Sequence, residues 1–304
     1  MLDTRLTEQR NPRSSGLDHL STREVVRLLN SEDQTVAAAV AREEEALVRA
    51  VELAVTAFQS GGRLLYVGAG TSGRLGVLDA AEMPPTFGTP PTLVQGIIAG
   101  GYEALVRAQE GAEDHPEQGA LAMDERGVDD RDFVLGIATS GTTPYVHGAL
   151  ARARERGARS GFLLCTPPTA ELRSTHDVVI APLVGPEVVT GSTRLKAGTA
   201  TKLVLNTITT GAMVRLGKVH GNLMVDLQVT CQKLQDRGER ILMELGQVDR
   251  HEARDLLARA EGSVRLALVM ALTGLTAADG REALRRSGGR VSDLEGLTPG
   301  KPES

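Results

Sequence analysis

The stretch RLLYVGAGTSGR, residues 63–74, decides the fold. RLLYV at 63–67 is a short apolar run of strand length, and the glycines that follow lead into a helical pattern from Arg74 to Glu82. Gly68, Gly70 and Gly73 fit the G-x-G-x-x-G spacing of a dinucleotide-binding turn. Such a turn also requires an acidic residue for the ribose about 20 residues on, at the end of the second strand. There the sequence reads LVQGIIAGG, without Asp or Glu. Thr71 and Ser72, between the later glycines, instead offer hydroxyls beside the N–H groups of a helix N-terminus, which suits a compact phosphate. By itself the stretch is equally an ordinary strand-to-helix turn.

The same pattern repeats downstream. TLVQGII at 92–98, FVLGIA at 133–138, GFLLC at 161–165 and DVVIAP at 177–182 are near-continuous apolar runs, as in a parallel sheet covered on both faces. Crossover helices are expected at 74–82, 102–109 and 145–156, giving a five-stranded, doubly wound α/β domain. Upstream, residues 1–20 read as an extended polar stretch of an N-terminal arm spanning 1–30, and Ser31 with Gln34 as the capping box of one long helix ending at Ser60-Gly61-Gly62. A helix from Gly191-Ser192-Thr193 to about Leu216 closes a domain spanning 31–220. Residues 221–304 read as a small helical appendage with a helix at 232–245, HEARDLLARAE, a helix capped by Ser263, a short helix at 279–286, and GLTPGKPES as a disordered end.

Bulk properties narrow the function. A chain of 304 residues with 41% hydrophobic content can bury a sizeable core. A net charge of −5, no Trp, three Tyr and four Phe argue against nucleic acid as a partner. Cys165 and Cys231 lie far apart outside any C-x-x-C pair and read as structural thiols in a reducing compartment. No signal-peptide core opens the sequence and no run reaches the ~18 apolar residues of a membrane span, so a cytoplasmic protein away from the membrane is expected. The six histidines lack metal-ligand spacing, so no metal is expected.

A second hydroxyl-rich loop, Thr139-Ser140-Gly141-Thr142-Thr143-Pro144, follows the third strand. In open α/β sheets, loops at the carboxyl ends of strands near the switch point bind ligands. Ser140, Thr142 and Thr143 with Thr71 and Ser72 would surround one phosphate, making a phosphorylated small molecule the expected ligand.

The pair of loops resembles the sugar isomerase (SIS) fold. GPEVVTGSTRLKAGTATK at 185–202 is similar to the signature shared by N-acetylmuramic acid 6-phosphate etherases and the glucokinase regulatory protein. LDAAEMPPTFG at 78–88, IIAGG at 97–101, EGAED at 110–114, GKVHGNLMVDLQVT at 217–230 and the TEQRN arm resemble the etherases, so that the similarity covers nearly the whole chain. His220 and Met83 depart from the family pattern, where an aromatic residue and a Cys are usual.

The resemblance implies cleavage of the D-lactyl ether of N-acetylmuramic acid 6-phosphate to N-acetylglucosamine 6-phosphate and D-lactate, in cell-wall amino-sugar recycling, by a homodimer with a shared active site. The family's route removes the C2 proton of the ring-opened sugar, expels lactate from C3 and adds water there, which needs an acid and a base but no cofactor. Glu82 matches the family's proton donor, and its apolar setting AAEMPPTF would desolvate it. Glu113 matches the second catalytic glutamate, although EGAEDHPEQ reads compositionally as a solvated loop. Within the signature, Glu187 could bind sugar hydroxyls, Ser192 or Thr193 could cap the next helix, and Arg194 or Lys196 could meet phosphate or carboxylate. Asn222 and Asp226 read as holding a turn or an interface. A sugar-phosphate-binding regulator, a sugar-phosphate isomerase and, last, a dinucleotide oxidoreductase are the alternative functions.

Overall fold

A computed structural model describes residues 5–227, 229 and 231–294. The helices are α1 (Thr22–Ala41), α2 (Glu44–Gln59), α3 (Gly70–Phe87), α4 (Glu103–Val106), α5 (Pro116–Glu125), α6 (Pro144–Glu155), α7 (Ala170–Thr175), α8 (Lys196–Arg215), α9 (Gln232–Leu245), α10 (Arg250–Arg259), α11 (Val264–Thr273) and α12 (Ala277–Arg286). The strands are β1 (Leu64–Gly68), β2 (Val94–Ile98), β3 (Phe133–Ile137), β4 (Arg159–Leu163), β5 (Val178–Ile180), β6 (Val219–His220) and β7 (Leu223–Met224).

The chain divides into two compact units, one of Met1–Glu82 with Pro91–Gly211 and one of Met83–Pro90 with Ala212–Ser304. In the first, β1 to β5 form a sheet of order β2-β1-β3-β4-β5 in which every pairing is parallel. Mostly buried on both faces, these strands are largely apolar, with Gln95 in β2 and exposed Arg159 and buried Ser160 in β4 as the polar exceptions. Leu65, Val67, Val134 and Phe162 pack with Met123, Val146, Ala149 and Leu150 from α5 and α6 on one face. Alternate positions such as Leu64 and Tyr66 are also buried, and α2 contacts β1, β3 and β5. The order reverses between β1 and β3, which puts the switch point at the two hydroxyl-rich loops.

Several boundaries differ from the expectation. The leading helix begins at Thr22, not Ser31: Ser21 accepts from the Glu24 N–H (3.4 Å) and Glu24 accepts from the Ser21 N–H (2.8 Å), a complete capping box. Ser31 lies mid-helix with its hydroxyl donating to the Leu28 carbonyl (2.8 Å). The run to Gln59 is two helices, broken at Arg42 and Glu43. Residues 5–20 are not an extended arm; they form short 3-10 turns at Leu6–Glu8, Pro12–Ser14 and Leu17–His19. The 102–109 helix shrinks to α4, and α5 begins within the stretch EGAEDHPEQ read as loop, with Pro116 at its first position.

In the second unit, α9, α10 and α11 enclose an apolar cluster that includes Leu242, Leu257 and Leu268. Buried Glu239 there accepts from Arg250 (2.9 Å) and Arg254 (2.8 Å). Asp226 pairs with Lys218 and with Arg265 (3.1 Å), and Asn222 sits in the turn between β6 and β7. Cys165 is buried, its thiol pushed up to about 12 chiefly by burial, whereas Cys231 is exposed at the start of α9 rather than packed. The expected disordered end at 296–304 lies outside the described residues. Among the described residues no helix is long and apolar enough to cross a membrane.

Candidate active site

The loop after β1 explains its own glycines. Gly70 has φ +51°, and a Cβ on Gly68 would stand 2.7 Å from the Gly73 nitrogen. A Cβ on Gly73 would stand 2.8 Å from the Gly68 carbonyl oxygen and 2.6 Å from Ile98. The spacing is therefore required by the turn itself and says nothing about a dinucleotide. Thr71 and buried Ser72 occupy the first turn of α3, where the leading N–H groups lack partners within the helix.

The loop after β3 is knit by its hydroxyls. Ser140 Oγ lies 3.0 Å from Thr142 Oγ1 and accepts from the Thr142 N–H at 3.3 Å. Thr143 is the N-cap residue of α6, and its side chain makes no capping bond. The two loops follow adjacent strands, β1 and β3.

A cavity of about 160 Å³ adjoins the first loop, lined by Gly70, Arg74, Gln109, Glu110 and Glu113 among others. Glu113, singled out by resemblance, lines this cavity together with Arg74 and Glu110, which the sequence did not single out although Glu110 belongs to the same EGAED string. Arg74 Nε donates to the Leu105 carbonyl at 3.1 Å, which ties the loop's helix to the cavity wall. Glu82 is not brought to this cavity. It lies twelve residues along α3 from Gly70, about 18 Å at 1.5 Å rise per residue, and is exposed rather than enclosed by its apolar neighbours.

Within 185–202 the structure reassigns two side chains. Glu187 is buried and accepts from the N–H groups of Lys196 (3.0 Å) and Ala197 (2.9 Å). Burial raises its carboxyl above the usual range in spite of those bonds. Both oxygens thus serve the N-terminus of α8, the role expected of Ser192 or Thr193, and are not arranged for sugar hydroxyls. Lys196 is also buried, and its Nζ lies 2.6 Å from Glu32 Oε2 instead of facing a phosphate. Burial alone would raise Glu32, but Lys196, Asn11 and Arg13 together hold its carboxyl below the ordinary value. Ser192 and Thr193 are partly buried in the turn before α8, and Arg194 is exposed. A Cβ on Gly198 would meet Thr71 Cγ2 at 3.5 Å, so the first turn of α8 lies against the first loop.

Two partners escaped the sequence reading. Asn11 Nδ2 donates to Glu32 Oε2 (2.9 Å) and to the Pro186 carbonyl (3.2 Å). Buried Asp79 on α3 accepts from Lys202 Nζ (2.8 Å) and the Tyr66 hydroxyl (3.2 Å). Lys202 stands in the signature and Asn11 in the TEQRN string, but nothing in either names its partner.

A family model described as the glucokinase regulatory protein N-terminal SIS domain matches residues 46–154. An N-acetylmuramic acid 6-phosphate etherase of Synechococcus elongatus is 55% identical over 286 residues, 94% of this chain and 93% of that protein. One of Salinibacter ruber is 53% identical over 285 residues, 94% of this chain and 92% of that protein. A solved phosphoheptose isomerase from Neisseria gonorrhoeae is 19% identical, with a TM-score of 0.49 over 64% of this chain and 100% of that one. With more than half of all positions shared along nearly the full length of its relatives, the chain belongs to the N-acetylmuramic acid 6-phosphate etherase family.

Proposed function

We propose that the chain cleaves the lactyl ether of N-acetylmuramic acid 6-phosphate, releasing D-lactate and N-acetylglucosamine 6-phosphate, as a carbon–oxygen lyase of cell-wall sugar recycling. The observation that carries this reading is a carboxylate, Glu113, lining a cavity beside a hydroxyl-bearing helix N-terminus in a chain 55% identical to an etherase. Thr71, Ser72, Ser140, Thr142 and Thr143 hold the phosphate through hydroxyls and N–H groups at the switch point. Glu113 takes the C2 proton of the ring-opened sugar. The electron pair of that C–H bond forms the C2–C3 double bond as the C3–O bond breaks, and the departing lactate oxygen receives a proton from Glu82. Water then adds, its hydroxyl to C3 and a proton to C2.

The 18 Å offset along α3 makes Glu82 too distant to serve the first loop of its own subunit. A homodimer in which Glu82 reaches the partner's cavity resolves this, and the same contact would desolvate the carboxyl and favour its acid form. The phosphorylated substrate and the unpaired thiols suit a cytoplasmic setting.

Reaction in ¹⁸O-water tests the route. Cleavage of the C3–O bond places the label on the sugar C3 hydroxyl and leaves lactate unlabelled; label in the lactate hydroxyl would refute it.

A further inference from the structure

A phosphate held by hydroxyls and helix N–H groups gains most from a cation in direct contact with that cradle. The two lysines of the 185–202 stretch are already bonded to buried carboxylates, Lys196 to Glu32 (2.6 Å) and Lys202 to Asp79 (2.8 Å). A guanidinium reaches the second loop from a different part of the chain. Arg5 Nη1 donates to Thr142 Oγ1 at 3.0 Å, and that hydroxyl in turn lies 3.0 Å from Ser140 Oγ. Guanidinium N–H groups fork, so a side chain that donates to a hydroxyl can also donate to an anion bound by it.

The segment carrying Arg5 is pinned along its length. Thr7 is buried, and Glu8 lies against Gly191, where a Cβ would stand 3.2 Å from Glu8 Oε2. Asn11 bridges Glu32 and the Pro186 carbonyl at the entrance to the signature.

We infer that the N-terminal segment completes the phosphate subsite, with Arg5 supplying charge to the second loop and Asn11 acting as the positioning residue that holds the segment in place. The inference rests on the etherase reading for the identity of the sugar, while the subsite itself takes any phosphate monoester.

The test is the dissociation constant for inorganic phosphate by titration calorimetry, beside KM and kcat for lactate release, in wild type, Arg5→Ala, Asn11→Ala, the double variant and Arg23→Ala. Loss of a charge-assisted hydrogen bond weakens phosphate about tenfold or more in Arg5→Ala and raises KM while kcat changes little. Arg23→Ala, which removes the same charge from an exposed position on α1, binds as wild type. If Asn11 acts through Arg5, the double variant binds phosphate no more weakly than Arg5→Ala alone, whereas a merely structural Asn11 would add its own loss. Wild-type phosphate affinity in Arg5→Ala overturns the inference. Phosphate affinity that depends on Arg5 in a protein releasing no lactate overturns the etherase reading and leaves this one standing.

Discussion

Lys196 is buried in an ion pair, its Nζ 2.6 Å from Glu32 Oε2. Its place in the signature is plain, but its partner Glu32 lies 164 positions away, and only the fold closes that distance. Removing one member of a buried ion pair leaves the other charge uncompensated. Lys196→Met is therefore expected to lower unfolding free energy by about 3–5 kcal/mol in denaturant titration. Glu187 follows the same logic: an acid near a signature reads as a ligand until the two N–H groups that occupy it are seen. His176 gives a pH test. Burial lowers its pKa to about 4, with the nearby Arg154 and His147 acting in the same direction. The unfolded chain therefore binds a proton that the native one refuses between the unperturbed value near 6.5 and about 4. Its contribution to stability is complete above pH 6.5 and is lost as pH falls toward 4. Urea midpoints at pH 7 and pH 5 should differ accordingly, and less so in His176→Gln.

At the scale of elements, the strands were legible because burial on both faces favours near-continuous apolar runs, and all five overlap such runs, β4 starting two residues earlier at Arg159. Helix ends were less so. Two Ser-x-x-Glu/Gln patterns stand ten residues apart, and the first, Ser21 with Glu24, forms the box. Ser21→Ala should cost about 1 kcal/mol by thermal or chemical denaturation, the typical loss for an N-cap. Ser31→Ala removes only a bond to a carbonyl within the helix and one from Arg13, and should cost less. Helix α5 was hidden because its acidic, Pro-led start reads as loop, while its packing depends on a small residue. A Cβ on Gly119 would stand 1.9 Å from the Tyr145 carbonyl oxygen on α6. Gly119→Ala should force the two helices apart at about 1–3 kcal/mol, read as a lowered melting temperature.

At the scale of the whole molecule, the switch point between β1 and β3 gathers what the sequence scatters: two hydroxyl loops, the Glu113 cavity and the first turn of α8. The two hydroxyl loops were legible at the ends of what prove to be adjacent strands, and Glu113 was singled out only through resemblance, since its surroundings are polar. The exposure of Glu82 was not legible, because its apolar neighbours in AAEMPPTF read as enclosing it. If Glu82 acts across a dimer, mixing inactive Glu82→Gln and Glu113→Gln subunits should produce hybrids with one intact site and recover activity; recovery that never exceeds the sum of the two variants would place both carboxylates in one subunit. The most direct test of the account as a whole is D-lactate release by the purified protein from N-acetylmuramic acid 6-phosphate and from the unphosphorylated sugar, in wild type, Glu82→Gln and Glu113→Gln. Lactate from the phosphorylated sugar alone, lost in both variants, is the predicted result, and sugar-phosphate binding without any lactate would contradict it.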